Sequence, residues 1–574
     1  MRKLFFFPLM LLLAACGPKD GIHTLHLLTT NDVHGCWFDS TYVGGRTKLS
    51  LMAVNSYVDS IRTADGKENV LLVDAGDCLQ GDNASYYYNY VDTKSEHLFS
   101  RIVSYMGYDA ITVGNHDIET GHLVYDRVRK ELRSHGIPFL AGNAMRDKDG
   151  KPYFQVCKTF RRAGLKVLVL GYTNPRNDTW VDAKIYEGMH FLDLIPLVQE
   201  DVDRYTDKFK PDVVIVSVHS ATGDGKRSSS EAEGLDLYES LKGVDFVVCS
   251  HDHRQVTFCD GKRALINTGN RAKYLGHGVL EVNVEKGKVV SKDVSASLIK
   301  IDKDKVDAAM RDAFRKDYET VKAFSTREIG ALAMELRTRD AYAGMSDYLN
   351  LLHSVQLKST GADVSFAAPL TYNGKVKAGV LIYNDLFTVY PYENQLFVMK
   401  LSGKEIKDYL EESYDGWLAD PASGHVLRIR KHDDPRNNQA GWSFENRPYN
   451  FDSAAGIVYT VDITKAKGGR VEISSLADGR PFESDAEYKV AMTSYRANGG
   501  GGLIIRGAGI PASEIEGRTI GKYEEIREFV YRYINEYGLI DHGTISDPAL
   551  IGSWKFVPEG EADGKIDADL KLLF

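Results

Sequence analysis

The stretch AITVGNHDIETG, residues 110 to 121, begins as an apolar strand and then crowds Asn115, His116, Asp117 and Glu119 into five positions. Four comparable endings surround it in the sequence. Asp32 and His34 follow LHLLTT, Asp77 follows VLLVDAG, His219 follows VVIVSV, and His251 and His253 follow FVVCS. A polar residue at one strand end is usually a turn or a helix cap. Five endings all rich in His, Asp and Asn are a different matter, because random capping would supply Ser, Thr and Gly as well.

The residue types select the chemistry. Imidazole and carboxylate without thiolate suit Zn, Mn, Fe or Co, whereas a magnesium site uses oxygen ligands and keeps its waters. Asp32, His34, Asp77, Asn115, His219, His251 and His253 over-supply a single tetrahedral ion. Two divalent ions sharing a bridging carboxylate would use them all.

The elements that must position these residues are legible as well. From about residue 22 to 299 short apolar runs alternate with helix-patterned stretches such as HLVYDRVRKELRSHG, which predicts an α/β layered domain. In open α/β sheets ligands bind beyond the carboxyl ends of the strands, so the five endings are expected to converge. Residues 300–325 are charged with apolar positions at helical spacing and read as a helix joining two domains. Residues 326–574 carry scattered strands, turn signals and many aromatics, an α+β pattern. No internal repeat is apparent.

Composition bounds the rest. At 574 residues and 43% hydrophobic the chain can bury substantial cores and is long enough for two or more domains. The formal charge of −9 becomes more negative if Arg2 and Lys3 are removed, which argues against nucleic-acid polymers as partners. The N-terminus, MRKLFFFPLMLLLAACGPKDG, places two cations before an apolar run too short to span a bilayer. LAAC, Leu13 to Cys16, resembles a bacterial lipobox. That resemblance implies a leader over 1–16, cleavage before Cys16, lipidation of its thiol, and a soluble body tethered in the cell envelope, at the outer membrane, facing the periplasm or the surface. The other cysteines, Cys36, Cys78, Cys157, Cys249 and Cys259, are odd in number and lack CxxC spacing, so neither a disulfide scaffold nor a structural zinc module is expected.

The ordered set Asp32-x-His34, Gly76-Asp77, Gly114 to Asp117, His219 and His251-x-His253 resembles the calcineurin-like metallophosphoesterases, and within them the secreted two-domain nucleotidases. The resemblance implies a four-layered α/β/β/α metallophosphatase domain over 22–299 and a C-terminal nucleotidase domain over 326–574. It puts one metal on Asp32, His34, Asp77 and His253 and a second on Asp77, Asn115, His219 and His251. It leaves His116 to face the substrate phosphate. Relatives pair this His with an Asp three residues on; here that place holds Glu119. Asp117 and Asp252 are read as structural, at most orienting neighbouring imidazoles.

In the C-terminal half, TSYRANGGGG, residues 493 to 502, sets an aromatic and an Arg before a run of glycines. Glycine lets backbone approach a ligand, and an exposed aromatic offers a stacking face worth about 1 to 3 kcal/mol per base. A Gly-rich turn beside a packed Tyr reads equally well from the residues alone. The 5′-nucleotidases carry a Phe and NGGDG here, with the Asp on the ribose hydroxyls; Gly501 occupies that position. SYRANGGGG, VYPYENQLFVMKLSGKEIKDYLE and YNFDSAAGIVYTVD are more similar to the 2′,3′-cyclic-nucleotide 2′-phosphodiesterase/3′-nucleotidase branch. That resemblance implies Tyr449 and Tyr495 as a base-sandwiching pair, with Asn498 reaching the ribose or holding the turn. The alternatives are a 5′-nucleotidase, a phosphatase of other esters, and a non-catalytic nucleotide-binding lipoprotein.

Overall fold

The computed structural model describes residues 18–180, 183–392, 394–432 and 441–574. The expected leader and Cys16 lie outside the described residues. The chain divides into two compact units, the first running to Tyr318 and the second from Glu319 to Phe574, apart from two short segments of the first half, 42–44 and 179–183, that group with the second unit.

Twelve strands of the first unit build two sheets. They are β1 (Gly21–Thr30), β2 (Val70–Asp74), β3 (Ala110–Thr112), β4 (Phe139–Leu140), β5 (Cys157–Arg162), β6 (Leu165–Tyr172), β7 (Val213–Val218), β8 (Phe246–Val248), β9 (Gln255–Cys259), β10 (Ala264–Thr268), β11 (Tyr274–Glu285) and β12 (Lys288–Lys300). One sheet has the order β12-β11-β1-β2-β3-β4, the other β9-β10-β8-β7-β6-β5. In the first, β1 to β4 run parallel, and in the second β6, β7, β8 and β10 do. Parallel strands buried on both faces need continuous apolar sequence, and VLLVD in β2 and VVIVSV in β7 supply it.

The pleat sends alternate side chains to opposite layers. Leu25, Leu27, Leu71 and Val73 of one sheet share a core with Val167, Val169, Ile215 and Val248 of the other. The intervening residues Leu168, Leu170, Val214 and Val216 face outward onto Leu194, Val198 and Val202 of the helix Leu194–Phe209. Helices Leu51–Asp65 and His122–Ser134 cover the first sheet. The result is four layers, α/β/β/α, with the C-terminal ends of the parallel strands opening on one side.

The helix expected over 300–325 is shorter and divided. β12 runs to Lys300 and Asp302 folds the chain into a turn, accepting from the Asp304 N–H at 3.0 Å. Helix begins only where Asp307 caps the amides of Ala309 and Met310, spans Ala308–Ala313, and restarts as Arg315–Ser325 after Phe314. The apolar spacing was helical, but local Asp side chains captured the backbone first.

The second unit has its own core. A five-stranded sheet orders residues 453–455, 364–367, 487–493, 395–402 and 519–525. The helix Gly403–Trp417 lays Ile406, Tyr409, Leu410, Tyr414 and Trp417 against it. A capping box starts that helix: Ser402 Oγ accepts from the Glu405 N–H while Glu405 accepts from the Ser402 N–H at 2.7 Å.

Candidate metal centre and aromatic pocket

Strand ends alone would not bring the ligands close; the turns after them do. Asp32, His34, Asp77, His251 and His253 all hold a positive φ, between 47° and 73°. That region is costly for non-glycine residues and persists where the surroundings fix it. Here backbone bonds stitch the turns together: the Asp32 N–H donates to the Gly76 carbonyl at 2.9 Å and the His34 N–H to the Asp77 carbonyl at 3.0 Å. Glycines permit the approach. A Cβ at Gly114 would lie 2.1 Å from Asp77 Oδ1, and one at Gly76 2.7 Å from the Gly114 nitrogen.

Two adjoining clusters result, Asp32 with His34 and His253, and Asp77 with His219 and His251; within each, the ligand atoms lie within 4.8 Å of one another. Asp32 divides its carboxylate. Oδ2 accepts from the His251 N–H at 3.0 Å and from Asn31 Nδ2 at 2.6 Å. Oδ1 is buried with no hydrogen-bond partner, with His253 Nε2 at 3.5 Å and His34 Nε2 at 3.9 Å. The two Nε2 atoms stand 3.0 Å apart. Burial drives the His34 imidazole down to about 3, so it stays neutral and keeps a lone pair.

The second cluster is set by the outward nitrogens. His219 Nδ1 lies 2.8 Å from the Ala75 carbonyl and must donate to it, which leaves Nε2 facing Asp77 Oδ2 at 3.1 Å and Asn115 Oδ1 at 3.0 Å. His251 Nε2 sits 2.9 Å from Glu231 Oε1, and its Nδ1 is 2.9 Å from the same Asn115 oxygen. Carboxylate oxygen, amide oxygen and imidazole lone pairs therefore converge, an arrangement that repels itself unless positive charge sits among them. Burial opposes charge on His219, yet the Asp77 carboxylate lifts it to about 9. Burial likewise opposes charge on Asp77, but His219, His116 and His34 hold it well below the usual carboxylate range. A divalent cation meets the same electrostatic demand with several positive-charge contacts at once, so the residues fit the metals that their chemistry implies.

Glu119 touches both neighbours on its short helix, Asn115–Glu119. Its Oε2 is 2.7 Å from His116 Nδ1, and its Oε1 accepts from Asn115 Nδ2 at 3.3 Å. The second bond turns the amide so that its oxygen faces the cluster. His116 Nε2 remains 4.0 Å from Asp77 Oδ2.

Three residues that matter here carry no motif-level signal for these contacts. Asp117, fully buried, accepts from the N–H groups of Asp77, Cys78, Leu79 and Gly114 at 2.8 to 3.1 Å. It holds two ligand-bearing loops by their backbones, a structural role as expected, exerted on amides and not on an imidazole. Asn31 bridges Asp32 to the Gly269 carbonyl and the Thr268 N–H. Glu231 reaches His251 from a separate loop. Asp252 is structural as expected, accepting from the Thr222 N–H and Asn267 Nδ2.

In the second unit a pocket of about 360 Å³ is lined by Phe366, Tyr392, Asn394, Tyr449, Asp452, Tyr495 and Arg496, among others. Tyr449 and Tyr495 do meet there, but at 6.3 Å between centroids and 82° between planes. They stand edge to face and do not form a parallel sandwich as placed; Tyr392 stands likewise at 75° to Tyr449. Asn498 is not among the residues lining the pocket; it ends the short helix Ser494–Ala497, its backbone N–H donating to the Ser494 carbonyl.

Comparison with known proteins agrees with this anatomy. Residues 323–506 match the 5′-nucleotidase C-terminal domain, and residues 57–266 match the bacterial capsule synthesis protein PGA_cap. The trifunctional nucleotide phosphoesterase YfkN of Bacillus subtilis is 24% identical over 96% of this chain, which spans 41% of that longer protein. The 2′,3′-cyclic-nucleotide 2′-phosphodiesterase/3′-nucleotidase of Salmonella typhimurium is 23% identical, covering 86% of this chain and 84% of its own. A 5′-nucleotidase crystal structure from Staphylococcus aureus, in complex with alpha-ketoglutarate, superposes with a TM-score of 0.70 at 20% identity, covering 93% of this chain and 99% of the other. The second half of the chain thus matches the 5′-nucleotidase C-terminal domain, the whole is similar to curated nucleotide phosphoesterases and shares the fold of the superposed structure, and the candidate metal clusters lie on the four-layered α/β/β/α unit of the first half.

Proposed function

We propose that the chain is a metal-dependent phosphoesterase that hydrolyses nucleotide phosphate esters, with 2′,3′-cyclic and 3′-nucleotides as its substrates. The observation that carries the reading is the pair of adjoining clusters in which buried acceptor atoms face one another, tied together where the His251 N–H donates to Asp32. Two divalent ions, Mn, Zn, Co or Fe, would be held by Asp32, His34 and His253 on one side and by Asn115, His219 and His251 on the other, with Asp77 between them. Bound there, such ions would supply Lewis-acid charge for the phosphoryl oxygens and would lower the pKa of a water toward neutrality.

The chain's own residues do the rest. Glu119 accepts from His116 Nδ1, so Nε2 is the atom presented to the phosphate, where it stabilises charge or carries a proton to the leaving oxygen. Glu119 also aims the Asn115 oxygen, which makes it a positioning residue. In the second unit, the aromatic pocket receives the nucleobase, with Tyr449 and Tyr495 on its wall offering aromatic surface to it.

The names of the relatives support nucleotide phosphoester chemistry, and Gly501 favours the cyclic and 3′ branch, because it offers no carboxylate to a ribose diol. A 5′-nucleotidase is the second reading, favoured by the C-terminal domain match. We further infer that the leader is removed at Cys16 and that the body is lipid-anchored at the outer membrane. No helix among the described residues is long and apolar enough to cross a membrane. The substrate reading is tested by phosphate release from 3′-AMP and 5′-AMP and by ring opening of 2′,3′-cyclic AMP. Dominant activity on the cyclic and 3′ esters is expected, and dominant 5′-AMP hydrolysis would overturn that choice.

A further inference from the structure

Arg496 lines the aromatic pocket, yet all of its hydrogen-bonding capacity is spent inside the protein. A guanidinium has five N–H donors. Nε donates to Asp452 Oδ2 at 2.9 Å and Nη2 to Asp452 Oδ1 at 2.8 Å, a bidentate pair in which each side chain is 3% exposed. Nη2 also donates to the Tyr449 carbonyl at 2.8 Å. Nη1 donates to the Gly500 carbonyl at 2.8 Å and to Asn450 Oδ1 at 3.1 Å. Five donors meet five acceptors, and none is left for a phosphate or a base.

The acceptors belong to two loops. Tyr449, Asn450 and Asp452 lie on one, Gly500 on the other, and Tyr495 precedes Arg496 directly. Asp452 is fixed in turn by the Tyr409 hydroxyl, and its carbonyl accepts from Ser413 Oγ at 2.7 Å, both from the helix Gly403–Trp417. The Tyr495 ring lies on the second loop: a Cβ at Gly500 would come within 2.4 Å of it. The same guanidinium governs position 501. Gly501 has φ +72°, and a Cβ there would fall 2.4 Å from Arg496 Nη1 and 2.6 Å from Asn450 Oδ1. Because that guanidinium is tied at every donor, it has no room to yield.

We propose that Arg496 is a positioning residue: a clasp that ties the segment carrying Tyr449 to the segment carrying Tyr495 and so fixes how the two rings meet at the pocket. This rests on the pocket being the nucleobase site.

The test measures adenosine binding to the full chain by calorimetry, for wild type, Arg496→Lys and Asn450→Ala, with KM and kcat for 2′,3′-cyclic AMP alongside. Lysine keeps the charge but has three donors and no fork. Adenosine affinity is expected to fall about tenfold in Arg496→Lys and about threefold in Asn450→Ala, with the kinetic loss falling more on KM than on kcat. Should Arg496→Lys fail to fold by circular dichroism, Asn450→Ala, which deletes one acceptor only, decides. Wild-type affinity in a folded Arg496→Lys, or in Asn450→Ala, would overturn the clasp. Absence of adenosine binding by the wild type would instead overturn the base-pocket reading, and the clasp's role with it.

Discussion

At Asp32 the two carboxylate oxygens have separate duties, one tied to the protein by Asn31 and the His251 amide, the other buried and aimed at two imidazoles. Asp74, three residues before Asp77, shows the opposite economy. Burial raises its carboxyl to about 7, although Thr30, Cys78 and the Gly76 N–H all donate to it. The folded chain therefore keeps a proton that the unfolded chain releases near 3.8. The associated stability is present in full below that value and is lost as pH rises through about 7. In metal-free protein, Asp74→Asn should gain about 1 to 2 kcal/mol relative to wild type between roughly pH 5.5 and 7.5. Urea midpoints at the two pH values check this; a difference that does not change with pH would show that Asp74 is ionised throughout.

At the scale of elements, the site is a set of turns held by their backbones. Asp117 joins the loop after β2 to the loop after β3 through four N–H groups. Asp117→Ala would leave those donors buried without a partner, costing about 3 kcal/mol or more, and should loosen both loops so that metal affinity falls with stability. Chemical denaturation together with metal titration tests it, and near-wild-type stability would contradict it. What could be read from the sequence follows the same division. The strand ends were legible because apolar runs and the His, Asp and Asn after them are adjacent in the chain. The identity of the second partners was not, because Glu231, Asn31 and Arg496 act across 20 to 238 residues of sequence. The helix start at 308 was hidden because the apolar spacing of 300–325 was helical while Asp302 and Asp307 decided the backbone. Tyr449 and Tyr495 were found as neighbours, but ring orientation depends on packing that no spacing encodes.

At the scale of the whole molecule, the candidate metal clusters and the aromatic pocket lie in separate compact units, and the proposed lipid tether adds a third element at the N-terminus. Cleavage and lipidation at Cys16 predict a mature chain beginning at that residue, labelled by fatty acid in wild type and unlabelled in Cys16→Ser. Mass spectrometry of the mature N-terminus checks it, and an intact leader or cleavage elsewhere would contradict the anchor. The central claim is the paired metal centre. The most direct measurement is to strip residues 17–574 of metal and titrate Mn, Zn or Co back while following both bound metal and phosphate release. Two equivalents bound, activity rising with them, and both lost in Asp77→Ala are the predicted result. Full activity in stripped protein, or saturation at a single equivalent, would contradict the account.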